Sequence, residues 1–97
     1  MSAYILARMK VTNWDQYKEY TKATPAVLAK FGGKFIVRGG EILTLEGPEE
    51  TSRIVLLEFP SLEKAKEFYS SKEYGEAKKL REGAATASFI VLQGLGD

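Results

Sequence analysis

Ninety-seven residues, 44% hydrophobic and 28% charged, are expected to form one domain, residues 1–97, around a single small core. Fourteen basic against thirteen acidic side chains leave a formal charge of +1, with the lysines spread along the chain, so neither nucleic acid nor a membrane is expected as a partner. Cysteine and histidine are absent, which excludes disulfides, thiolate nucleophiles and the usual zinc ligands, and removes the side chain best suited to proton transfer near neutral pH.

The N-terminal AYILARMKV, Ala3–Val11, is apolar and β-prone. Asn13 follows as an N-cap, with Gln16 in capping-box position. From Trp14, the residues Trp14, Tyr17, Val27, Leu28 and Phe31 recur at helical spacing. Pro25 lacks an N–H and crowds the preceding turn, so two helical pieces are predicted, Trp14–Lys22 and Pro25–Lys30, the second capped by Thr24. Gly32-Gly33 ends them. Lys34–Arg38 reads as a strand, Glu41–Glu46 as its continuation, and Gly47-Pro48-Glu49-Glu50 as a turn. Arg53–Phe59 is the clearest strand. Ser61 caps a helix over Leu62–Tyr69. Ser70 with Glu73 forms a capping box for another over Lys72–Arg81, and Ser88–Gly94 is the last strand.

The order β-α-β-β-α-β predicts an α+β fold, the ferredoxin-like sandwich: a four-stranded antiparallel sheet with its helices on one face. Such a sheet should alternate apolar and polar residues if its other face is wet. Here Val55, Leu57 and Phe59 oppose Ile54, Leu56 and Glu58, and Phe89 and Val91 oppose Ile90 and Leu92. Helices can cover only one of two apolar faces. A homodimer through the sheet face would bury the other, and a one-sided groove for a peptide or lipid is the alternative.

Arg38 shares parity with Ile36, and Glu58 with Leu56. Counting back from a turn at Gly47–Glu50 puts residues 38–40 opposite 58–60, so Arg38 and Glu58 are expected side by side on the second face, with Gly39-Gly40 as a bulge that turns Arg38 inward. A buried charge must be paired or hydrogen-bonded. The pair is either a structural ion pair that fixes register or a pocket in which Arg38 clamps an anionic or carbonyl-bearing ligand and Glu58 serves as base or orienter.

The segments KFGGKFIVRGG (Lys30–Gly40), LEFPSLEKAKEFYSSKEY (Leu57–Tyr74) and KKLREGAA (Lys78–Ala85) resemble domain-of-unknown-function family 1330, of the dimeric α+β barrel superfamily. The likeness spans almost the whole chain. It implies a ferredoxin-like protomer whose sheet pairs face to face with a second copy, and supplies no activity. Better-understood members of the superfamily include cofactor-independent monooxygenases, muconolactone-type isomerases and haem-binding peroxidases. The last hold haem through a histidine, which this chain lacks, so no cofactor is expected.

The family's recurring polar positions match Arg38, Gly39, Gly40, Glu58, Ser71, Tyr74 and Arg81, while Ser71-Lys72-Glu73-Tyr74 lacks the proline common after that serine. Each position also has a plainer reading. Ser71 is a helix cap, Arg81 offsets a helix dipole, and Trp14, Tyr17, Tyr20 and Tyr74 are core aromatics whose hydroxyls could also reach a pocket mouth. The expected ligand-binding set is therefore Arg38, Tyr17, Tyr20, Ser71, Tyr74 and Arg81, with Glu58 as the candidate catalytic group and no metal. No apolar run is long enough to span a bilayer and no signal peptide is recognisable, so a cytoplasmic protein is expected. Three functions fit: binding of a small anionic or carbonyl compound, cofactor-independent oxygenation or isomerisation, and a structural dimer without ligand.

Overall fold

The computed structural model describes residues 2–95; of the expected domain 1–97, Met1, Gly96 and Asp97 lie outside the described residues. The chain runs β1 (Ala3–Val11), α1 (Trp14–Lys30), β2 (Lys34–Arg38), β3 (Arg53–Phe59), α2 (Leu62–Ser70), α3 (Lys72–Lys79) and β4 (Ala85–Gln93). The strands form one antiparallel sheet in the order β2-β3-β1-β4. This is the expected ferredoxin-like α+β architecture.

Period-two patterning decides which side of the sheet the helices cover. Ala3, Ile5, Ala7 and Met9 of β1 and Val55, Leu57 and Phe59 of β3 are buried under the helices, where they meet Tyr17, Tyr20 and Leu28 of α1 and Phe68 of α2. Tyr4 and Leu6 point the other way, level with Glu58 and Leu56 on β3 and with Leu92 and Ile90 on β4. That second face has no helix over it. The molecule measures 37 × 36 × 16 Å, the thickness of one helix layer on one sheet, and Ile90 and Leu92 remain 46% and 45% exposed.

Three local expectations are corrected. Pro25 does not divide α1, which is continuous from Trp14 to Lys30. Proline removes the N–H that would bond the carbonyl four residues back, here Thr21. That oxygen instead accepts from the Arg38 guanidinium (Nη2–O 2.7 Å), and more weakly from the Thr24 hydroxyl at 3.4 Å. The chain thus tolerates the proline because another side chain replaces the lost donor.

The second correction is to β2. Lys34 lies opposite Glu58 and Phe35 opposite Leu57, but Val37 lies opposite Leu56 and Arg38 opposite Val55, with a register irregularity between Phe35 and Val37. The bulge therefore sits at Ile36, before the glycines. One extra residue reverses the parity of everything beyond it. Arg38 consequently lies on the helix-covered side, across the sheet from Glu58, and the expected Arg38–Glu58 pair does not form.

The third concerns Glu41–Glu46, which is not a strand. Gly39 donates the last bond toward β3, to Ile54 O at 2.9 Å. Beyond it β3 has no residues left to pair, because it begins at Arg53. Residues 39–52 form a loop in which Leu43 and Leu45 are 78% and 88% exposed.

The caps behave more nearly as expected. The Asn13 and Ser61 side chains accept from Gln16 N and Lys64 N, both at 3.1 Å. Gln16 does not close its box. Its amide reaches Leu80 O and Glu82 O instead, tying the start of α1 to the turn after α3. Ser71, rather than Ser70, caps α3 by accepting from Tyr74 N at 3.0 Å. No helix is long and apolar enough to cross a membrane among the described residues.

Candidate small-molecule site

The helix layer brings most of the expected ligand-binding residues together. Tyr17 and Tyr20 face the sheet from α1, and Tyr74 reaches in from α3 because the Ser71 cap fixes the first turn of that helix. The Tyr20 and Tyr74 hydroxyls share a hydrogen bond of 2.7 Å, and the Arg81 guanidinium donates to Tyr74 Oη at 3.4 Å. Burial drives the Tyr20 hydroxyl far above the ordinary tyrosine range, and the adjacent Tyr74 pushes in the same direction. Burial also raises Tyr17, partly offset by the charge of Arg53. Both hydroxyls are protonated near neutral pH.

Arg81 stands in the turn between α3 and β4 and is 7% exposed. Its guanidinium carbon lies 5.3 Å from the Tyr20 ring centroid and 5.4 Å from that of Phe89. Among the described residues it forms no ion pair, and its Nε has no hydrogen-bond partner. The magnitudes matter here. Two cation–π contacts contribute about 2 kcal/mol each at best, whereas desolvating an ion costs several kcal/mol even after relaxation. The unmet donor adds about 1–3 kcal/mol. The rings alone therefore do not balance the buried charge.

Two spaces flank this network. One is a cavity of about 30 Å³ between α1 and the sheet, bordered by Met9, Tyr17, Tyr20, Phe35, Arg38 and Arg53. That is room for roughly one to three water molecules. The other is a half-open cleft of about 450 Å³ between β4 and the α2–α3 pair. It exists because α1 and α2 roof β1 and β3, leaving the helix side of the edge strand β4 partly bare at Ala87 and Val91. Phe89 borders both spaces, and Arg81 lines the cleft.

Arg38 borders the small cavity with Tyr17 and Tyr20, and its exposed guanidinium donates to Thr21 O and lies 4.1 Å from the Phe35 ring centroid. Glu58 stands apart on the bare sheet face. It accepts from the Tyr4 hydroxyl at 3.1 Å and pairs with Lys34 at 3.3 Å. The hydrogen bond to this carboxylate raises the Tyr4 hydroxyl's pKa. Among the described residues no carboxylate forms an ion pair with Arg81, and no group of three acidic residues could hold a metal ion.

Two features escaped the sequence reading. Arg53 is in phase with Val55, Leu57 and Phe59, which marks it as inward-facing, and its guanidinium lies over the Trp14 and Tyr17 rings at 5.8 and 5.7 Å. Gly39 has φ +72°, and a Cβ there would collide with the Arg53 guanidinium. This is the physical reason for glycine after Arg38. Lys66 with Tyr69, and Lys78 with Arg81, are each three residues apart and line the cleft together; that spacing was visible in the sequence.

Comparison with known proteins places these features in a family. A family model described as a domain of unknown function, DUF1330, matches residues 2–95. A protein of unknown function from Rhodopseudomonas palustris is similar in structure, with 25% identity and a TM-score of 0.76 over 99% of this chain and 84% of that one. SnoaB, a cofactor-independent oxygenase from Streptomyces nogalater, shares the fold at 11% identity and a TM-score of 0.69, over 99% and 95% of the two chains. A dimeric ferredoxin-like protein of unknown function from Bacteroides fragilis does so at 18% identity and 0.64, over 96% of each. No curated protein matches at a significant level. With the family model covering nearly its whole length, and with the ferredoxin-like sheet that its relatives share, the chain belongs to the DUF1330 family.

Proposed function

We propose that this protein is a homodimer, joined through its bare sheet faces, that binds a small molecule bearing an anionic or carbonyl oxygen at Arg81. The observation that carries the ligand reading is the Arg81 guanidinium, more than nine-tenths buried with no carboxylate to balance it. The neutral tyrosines beside it act as hydrogen-bond donors and orienting groups. The dimer reading rests on the uncovered apolar face around Leu6, Leu56 and Ile90, and agrees with the dimeric Bacteroides fragilis protein of the same fold.

Native mass spectrometry of protein purified from its own host tests both parts. The expected result is a dimer that carries a co-purifying small molecule, absent from a folded Arg81→Met variant. A monomer at micromolar concentration overturns the dimer. A ligand retained by Arg81→Met overturns the site.

The fold likeness to SnoaB favours one second reading, oxygenation of a bound substrate without a cofactor. In that chemistry the protein would orient and desolvate a substrate that itself reacts with oxygen. Oxygen consumption with the co-purified compound distinguishes this from binding alone.

A further inference from the structure

The cleft beside Arg81 has a lining that narrows the ligand class. Three cations face it, Lys66, Lys78 and Arg81, and no Asp or Glu does. None of the three forms an ion pair among the described residues. Lys78 is held in place by the Tyr69 hydroxyl, 3.1 Å from its Nζ, and lies 5.2 Å from the Tyr69 ring centroid. Apart from Ser70, whose hydroxyl donates to Lys66 O at 2.8 Å, the remaining wall is apolar or aromatic. Tyr69 and Phe89 meet with centroids 5.4 Å apart and planes inclined by 50°, and Ala87 and Val91 of β4 continue the floor.

Resting on the reading of Arg81 as a ligand-binding group, we propose that this cleft takes a small aromatic carboxylate. A flat ring lies against the corner made by Tyr69 and Phe89, and its carboxylate points to the three cations. Arginine suits a carboxylate because its planar fork donates two parallel bonds. A small swing of the guanidinium toward the cleft gives Nε the acceptor it lacks. The lysines at the rim draw the anion in and complete its neutralisation. The volume of about 450 Å³ lies within the range of small-molecule sites. A bare inorganic anion would leave the aromatic wall unused, and a neutral arene would leave the charges unbalanced.

The test is an NMR titration of the full-length protein at fixed ionic strength with benzoate, cyclohexanecarboxylate, benzamide and inorganic phosphate. Benzoate is expected to shift the amides of Tyr69, Arg81 and Phe89, and to bind at least tenfold more tightly than the other three. Lys66→Met and Lys78→Met, on the exposed rim, each weaken benzoate several-fold without loss of fold, and Phe89→Leu narrows its advantage over cyclohexanecarboxylate. If phosphate or cyclohexanecarboxylate shifts the same residues as tightly, the aromatic class is wrong while Arg81 remains an anion site. If no anion shifts them, both this inference and the ligand reading of Arg81 fall.

Discussion

Arg38 and Arg81 occupy opposite edges of the same sheet, and the protein treats their charges in opposite ways. At the β2 edge, Pro25 leaves the Thr21 carbonyl without a helical donor, and Arg38 supplies one. Each irregularity answers the other, so the arginine is consumed by the fold. At the β4 edge, Arg81 is more deeply buried, yet receives two ring faces and the hydroxyls of Tyr74 and Tyr20 rather than a carboxylate. Its spare donor faces no internal acceptor. An exposed cation anchored to a backbone carbonyl reads as architecture; a buried one left short beside an open cleft reads as a site.

Breaking the contrast should produce its largest effect at Arg81. Arg81→Met is expected to weaken ligand binding about 30-fold or more, roughly 2 kcal/mol, whereas Arg38→Met should leave affinity within twofold. Calorimetric titration of both variants with benzoate checks this. Stability should show the reverse order. Losing the bond to Thr21 O, at an exposed site where water can take its place, makes Arg38→Met less stable by about 0.5–1.5 kcal/mol. At equal protein concentration, thermal melting should register a fall of about 5 °C in Tm.

Pro25 sharpens the comparison through a double-mutant cycle. Pro25→Ala restores an N–H for Thr21 O, so Arg38→Met should cost about 1 kcal/mol less in that background than in the wild type. Urea denaturation of the four proteins measures the coupling, and an additive result would mean that Arg38 does not replace the proline's missing donor.

The smallest expected effect is on pH dependence. The Tyr17 and Tyr20 hydroxyls have folded pKa values raised by burial above the ordinary tyrosine value of about 10. Ionisation in the unfolded chain is then easier than in the native one. Their contribution is fully present below pH 10 and is lost as pH rises through the folded values. Stability should therefore decline from about pH 10 upward, and Tyr20→Phe should flatten that decline. Chemical denaturation across this range, with tyrosinate absorbance followed in parallel, checks the sign.

How much of this was legible beforehand follows from which signals are local. Strand periodicity and caps are written in adjacent residues, so β1, β3 and the helix starts at Asn13 and Ser61 could be read directly. The bulge at Ile36 could not, because nothing in KFIVR marks an extra residue, and a one-residue slip is enough to move Arg38 to the other face. The continuity of α1 through Pro25 was hidden for a related reason: the donor that replaces the proline's N–H lies 17 residues from its acceptor. Tyr74 and Arg81 were identified as candidates from the family resemblance, and Tyr17 and Tyr20 as helix aromatics whose hydroxyls could reach a pocket, but their convergence needed the third dimension. Arg53 was available from parity alone, since it is in phase with Val55, Leu57 and Phe59.

The central claim is that the buried Arg81 has a donor waiting for a ligand, while the exposed Arg38 is anchored to Thr21 O and takes no part in binding. The most direct measurement is the side-chain Nε–H resonances of the two arginines during a benzoate titration. The account predicts that the Arg81 resonance moves and gains protection from exchange while the Arg38 resonance stays in place. A ligand that binds and shifts Arg38, leaving Arg81 unmoved, would contradict it.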